Sequence, residues 1–167
     1  FGTAGSVTDA ARLEELRRYG IAAEPSGRLW ENFDSRFDLA AEPNEVHRFG
    51  YIVEVDPWDP ASTPVKHSAM GRFKHEGASI HVTADGTVVA YSGDDERFDY
   101  LYKFVSSRKI NPDKTAEARR ENMRILDEGT LYVASFTGNS PEAEIDGSGT
   151  LPTDGAFDGT GSWIQLM

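Results

Sequence analysis

The stretch Gly77-Ala78-Ser79-Ile80-His81-Val82-Thr83-Ala84-Asp85-Gly86-Thr87-Val88-Val89-Ala90-Tyr91-Ser92 sets the architecture. Two short β-branched runs flank a reversal ending in Asp85-Gly86. Asp-Gly in that position is among the strongest hairpin signals, because glycine accepts the positive φ a tight turn demands. Working outward, the same pattern recurs. Residues 48–56 alternate aromatic and β-branched side chains and stop at Pro57. Asp56-Pro57-Trp58-Asp59-Pro60 is a turn whose prolines no helix or central strand accommodates, and 65–73 reads as the returning strand. Residues 100–106, 129–136 and 162–166 are further strands. The succession 77–82, 87–92, 100–106 and 129–136 predicts an up-and-down antiparallel sheet equivalent to one propeller blade, with 48–56 and 65–73 as the outer pair of a preceding blade. The expected fold is all-β, an antiparallel β-propeller segment of about one and a half blades with two peripheral helices.

The first helix falls within residues 1–20. Thr8 offers a capping hydroxyl, Asp9 suits the positive N-terminus, and Gly20 supplies a left-handed stop. Ala10, Leu13, Leu16 and Tyr19 form its apolar stripe. Residues 21–45 read as a long packed loop or a frayed strand anchored by Trp30, Phe33, Phe37 and Leu39. Asn111-Pro112-Asp113 starts the second helix, which runs to about Leu126 with Pro112 in its first turn. Lys114, Glu117, Arg119, Arg120 and Glu121 give it a charged outer face, as expected of a surface insertion. Tyr51, Tyr91, Tyr100, Tyr102 and Phe104 alternate as core residues would. Residues 137–161, poor in apolar side chains and rich in Gly, Asp and Ser, read as an exposed excursion. One four-stranded blade buries too little surface to stand alone, so 1–167 is expected to be a single segment of a larger domain.

Composition narrows the function. The 167 residues suit one domain, and 38% hydrophobic with 11% aromatic content supports a core. Seventeen Lys and Arg against 28 Asp and Glu give a net charge of -11, which argues against nucleic acid and anionic membrane surfaces. Acidity fits hard-cation binding or plain solubility. With no cysteine, disulfides, thiolate metal sites and thiol catalysis are excluded within these residues. No apolar run approaches the roughly 20 residues that span a bilayer. Phe1-Gly2-Thr3-Ala4-Gly5 has neither the basic start nor the apolar run of a signal peptide. The missing initiator Met suggests processing or a piece of a longer chain.

Two clusters could carry chemistry. Gly71-Arg72-Phe73-Lys74-His75-Glu76-Gly77-Ala78 leads charged residues into what would be the innermost strand, beside a propeller channel. Glu76 there could serve a hard cation, and His75 a metal or a proton. A solvated turn fits the same residues. In Ser92-Gly93-Asp94-Asp95-Glu96-Arg97-Phe98-Asp99-Tyr100, consecutive acids repel unless a cation or an arginine such as Arg97 holds them. A solvated acidic turn fits here as well. His47 and His67 have no ligand partner at informative spacing and read as structural or surface residues. Asp146 and the acids from Asp154 to Asp158 lack the order of a calcium loop. No P-loop, HExxH or Gly-x-Ser-x-Gly motif is present.

Residues 44–60, Ser62-Thr63-Pro64-Val65-Lys66, Met70-Gly71-Arg72-Phe73-Lys74-His75-Glu76-Gly77-Ala78, residues 91–105, Leu126-Asp127-Glu128-Gly129-Thr130-Leu131-Tyr132-Val133-Ala134 and Asp158-Gly159-Thr160-Gly161-Ser162-Trp163 resemble the PhoX-type alkaline phosphatases. The likeness covers about residues 30 to 166. It implies a bacterial, exported, hence periplasmic or secreted, β-propeller phosphomonoesterase. Calcium and iron would be its cofactors and phosphate esters its substrates. By the resemblance, Glu76 is the first metal-ligand candidate, Asp94 and Asp95 in the Gly-Asp-Asp phrase are the next, and His75 would orient Glu76. Two family phrases are absent: a Cys-Glu-Glu-Asn whose thiolate ligates iron, and an Arg-Pro-Glu supplying a ligand and a phosphate-binding arginine. The segment is therefore expected to be inactive alone, to bind metal weakly, and to self-associate through exposed strand edges. The alternatives are a calcium-dependent propeller lactonase or phosphotriesterase-like hydrolase and a non-catalytic β-rich binding module.

Overall fold

The structure, a computed structural model, describes residues 1–2, 9–21, 24–138 and 159–166. Its regular elements are α1 (Ala10–Arg18), β1 (Ile52–Glu54), β2 (Val65–His67), β3 (Ser79–Val82), β4 (Thr87–Gly93), β5 (Leu101–Lys109), α2 (Ala116–Asn122), β6 (Gly129–Gly138) and β7 (Gly159–Gln165). β1 and β2 form a two-stranded antiparallel sheet, and β3-β4-β5-β6-β7 a five-stranded one in which every neighbour is antiparallel and sequential. The up-and-down order expected from sequence is therefore present. The last strand extends it beyond four by pairing Trp163 with Ala134 across β6.

The Asp85-Gly86 reversal forms as expected. Gly86 has φ +87, where a side chain would be strained, and Asp85 Oδ1 accepts the Thr83 hydroxyl and the Thr87 amide. The core lies where β4, β5 and β6 meet the segment entering β3. Met70, Ala90, Phe104 and Leu131 are buried together, with Ile52, Tyr102 and Leu126 against them. Gly129 is small for a steric reason: a Cβ there would stand 2.3 Å from the Phe104 ring. Between Thr87 and Val89 the ladder slips, and Ser106 Oγ repairs it by accepting the buried Val88 amide at 2.9 Å.

Several expectations are corrected. The strands at 48–56 and 65–73 shrink to three residues each because 3-10 turns at Glu45–Arg48 and Ser68–Met70 take their ends. Residues 30–37 form short 3-10 turns. Asp9 caps α1 by accepting the Arg12 amide; Thr8 lies outside the described residues. The second helix is capped by Thr115, not opened by Pro112, and ends at Asn122 before a separate turn at Ile125–Asp127. Nor is it a bare insertion. Ala118 is buried, and Arg119 Nε donates to the buried Asp56 at 2.8 Å. Of the alternating aromatics, Phe104 is core, whereas Tyr91 and Tyr100 are exposed. The excursion at 137–161 is replaced at its two ends by the paired ends of β6 and β7; its centre, with Asp146 and Asp154 to Asp158, lies outside the described residues.

His67 is wholly buried, with Nε2 2.8 Å from Glu54 and Nδ1 3.0 Å from Asp127. It ties the small sheet to the turn before β6, the structural of the two roles open to it from sequence.

Asp56 is held below the usual carboxylate range by the Arg119 hydrogen bond, with help from the Trp58 amide. Its folded value is depressed, so the stability it contributes is present above the ordinary aspartate range and is lost as the pH falls through and below about 4. Asp56→Asn should accordingly lower the urea midpoint by more at pH 7 than at pH 3. An equal loss at both values would show that the ion pair is not the cause.

Candidate functional site

The site is built on the approach to β3. Gly71 has φ +87, and a Cβ there would lie 3.1 Å from Leu131 and from the Phe73 ring, so the chain turns tightly over the core. Phe73 is buried, stacked 4.3 Å from Tyr102 on one side and 3.6 Å from the His75 ring on the other. His75 is braced at both nitrogens, Nδ1 by Ser92 Oγ at 2.8 Å and Nε2 by the Gly71 carbonyl at 3.2 Å. Burial pushes its imidazole below the usual histidine value. This histidine is a packed brace with no nitrogen left for a metal.

Beyond it the backbone pairs with the end of β4. His75 and Asp94 face each other in an antiparallel bridge, flanked by Glu76 N–H to Gly93 carbonyl at 3.2 Å and Asp95 N–H to Lys74 carbonyl at 2.9 Å. Alternation of side chains in paired extended chains then separates the acids. Glu76 and Asp95 share one face as diagonal neighbours, with Lys74; His75 and Asp94 share the other. Exposure follows the same division, with Glu76 and Asp95 exposed and the Asp94 carboxylate completely buried.

The acidic turn is balanced by cations from outside it. Arg18, at the end of α1, places Nη2 2.5 Å from Asp94 Oδ2 and 2.6 Å from Asp99 Oδ2. Lys74 Nζ donates to Glu96 at 2.5 Å and holds that carboxylate below its usual range. Arg97, the neighbour expected to neutralise this turn, is exposed. Arg18 and Asp99 were not singled out by sequence reasoning. The run of acids signalled that a cation must be near, but a partner 76 residues away leaves no local trace.

Two carboxylates on an open face are hard oxygen donors of the kind calcium takes, though calcium needs six to eight ligands. Among the described residues, no group of three or more histidines or acids is placed to hold a metal ion. The donors thus fit calcium in kind but form an incomplete set. For iron the same carboxylates are likewise an incomplete set, to which the chain adds no cysteine thiolate and His75 no free nitrogen.

The family model for alkaline phosphatase PhoX matches residues 2–167. The chain belongs to the PhoX alkaline phosphatase family. It is similar to the solved structure of Pseudomonas fluorescens PhoX in complex with vanadate, a transition state analogue, with 46% identity and a TM-score of 0.77. That match covers 100% of this chain and 26% of the PhoX chain, so the present residues span about a quarter of the neighbour's length. No curated protein matches. The resemblance expected from sequence is thus borne out.

Proposed function

We propose that this chain is a segment of a larger metal-dependent phosphomonoesterase, one that hydrolyses phosphate esters and is inactive as the segment alone. The observation that carries this reading is the whole-chain similarity to a PhoX solved in complex with vanadate, a transition state analogue. The proposed fold of the parent is a β-propeller. In it the five-stranded meander is one blade, β1 and β2 belong to its neighbour, and β3 is the innermost strand. Ile80 and Val82, half exposed along β3, then lie where further blades would cover them. In the isolated segment that edge is open to a second copy, and sedimentation that rises with concentration would report the pairing.

Within this reading Glu76 and Asp95 supply part of a calcium site. Bound there, calcium would offset the charge that builds on phosphoryl oxygens during transfer. The residues of this chain hold the geometry: the bridge between His75 and Asp94 fixes the spacing of the two carboxylates, and the stack of His75 on Phe73 anchors the bridge to the core. Remaining oxygen donors, and any thiolate for iron, must come from elsewhere in the parent. We place that parent in the periplasm or outside the cell, where calcium is plentiful enough for a carboxylate site; fractionation of cells expressing the tagged parent checks this.

The test is hydrolysis by the full-length protein. It should release 4-nitrophenol from p-nitrophenyl phosphate, lose that activity to a chelator and regain it with calcium. Turnover of a lactone with none of the phosphate ester would overturn the reading in favour of a lactonase.

A further inference from the structure

The two acids of Gly93-Asp94-Asp95 do different work: the bridge register turns them to opposite faces, and Arg18 holds the inward one. We infer that Arg18 is a positioning residue, which acts through Asp94 to hold the acidic turn against the entrance of β3 and so keeps Glu76 and Asp95 at their spacing. The inference rests on the proposed cation role only for its second readout below.

The turn from Asp94 to Tyr100 carries four carboxylates, Asp94, Asp95, Glu96 and Asp99. Left alone they repel, and burying one is costly without a partner. Asp94 is nonetheless fully buried. Its Oδ1 accepts the Glu96 amide at 3.1 Å, its own amide reaches the Tyr100 carbonyl at 3.1 Å, and its Oδ2 is taken by Arg18. One guanidinium nitrogen thereby joins both ends of the turn, Asp94 and Asp99, while Nη1 stands 3.7 Å from Glu96. Planar, permanently charged and forked, arginine suits this bridging as lysine does not.

The end of helix α1 also docks on the approach to β3. The Tyr19 hydroxyl donates to the Arg72 carbonyl at 3.1 Å, and the Arg72 guanidinium lies 3.8 Å over the Tyr19 ring. Consecutive residues of α1's end, Arg18 and Tyr19, therefore grip the acidic turn and the Arg72–Glu76 approach together. Asp95 is left as the carboxylate that shares Glu76's face.

Hydrogen exchange by mass spectrometry on the full-length protein, metal-free, tests this directly. Arg18→Met should speed exchange at the Glu76 and Asp95 amides at least about tenfold, while the Thr83 amide, bonded to Thr87 at the far end of the same hairpin, keeps wild-type protection. Arg18→Lys should recover part of the protection, and Asp99→Asn, which removes one arm only, should lose less. In parallel, calcium affinity by calorimetry should fall with the same ranking. Unchanged protection at Glu76 and Asp95 would overturn the inference, as would a loss spread equally over Thr83, because that is the mark of a merely structural ion pair. Selective loss at Glu76 and Asp95 in a protein that binds no calcium even as wild type would uphold the positioning role and sink the cation role instead.

Discussion

Glu76→Gln in the full-length protein is expected to lower phosphatase turnover at least about 100-fold, because even the partners that stand behind metal ligands cost 10–100-fold when removed. The carboxamide keeps the shape and removes the charge, so it loses affinity for a hard cation while leaving the backbone bond from Glu76 to Gly93 untouched. The side chain is exposed, so the metal-free unfolding free energy should change by no more than about 0.5 kcal/mol, the spread of surface substitutions. Bound calcium, counted by plasma emission after gel filtration, should fall together with turnover. Retained turnover and calcium would show that the acid at the mouth of β3 is not a ligand.

The second large effect concerns the fold. Phe104 is 1% exposed and sits between Met70, Ala90 and Leu131, with Gly129 close against its ring. Phe104→Ala should cost about 3–5 kcal/mol, transfer loss and cavity together. Domain stabilities of about 5–15 kcal/mol leave little room for such a loss. The urea midpoint should collapse, and Tyr102 with the Phe73–His75 stack should lose its seat on the sheet. A midpoint shift under about 1 kcal/mol would mean that the core does not lie where β4, β5 and β6 meet the Met70 turn.

What could be read in advance follows from how local each signal is. The hairpin at Asp85-Gly86 needs only its own residues, and the sequential meander needs only short connections; both were legible. Strand lengths were not, because Arg48 and Ser68 have no propensity that forbids a strand, and packing around Val46 and Met70 turned those ends into 3-10 turns. The start of α2 was misplaced for a similar reason: Pro112 is a permitted first-turn residue, but the Thr115 hydroxyl offers an actual cap for Ala118. At the site, the resemblance drew attention to Glu76, Asp94 and Asp95 without separating the adjacent aspartates. Only the bridge register of His75 with Asp94 assigns them to opposite faces. From sequence His75 is a candidate for a metal or a proton, yet Ser92, Gly71 and Phe73, brought to it by folding, use up its ring.

Anomalous diffraction from crystals of the full-length protein grown with calcium and vanadate is the most direct measurement. The account predicts a calcium peak about 2.3–2.6 Å from a Glu76 oxygen, with Asp95 on the same side and Asp94 still paired with Arg18. Calcium bound elsewhere, with the Glu76 carboxylate in bulk solvent, would contradict it.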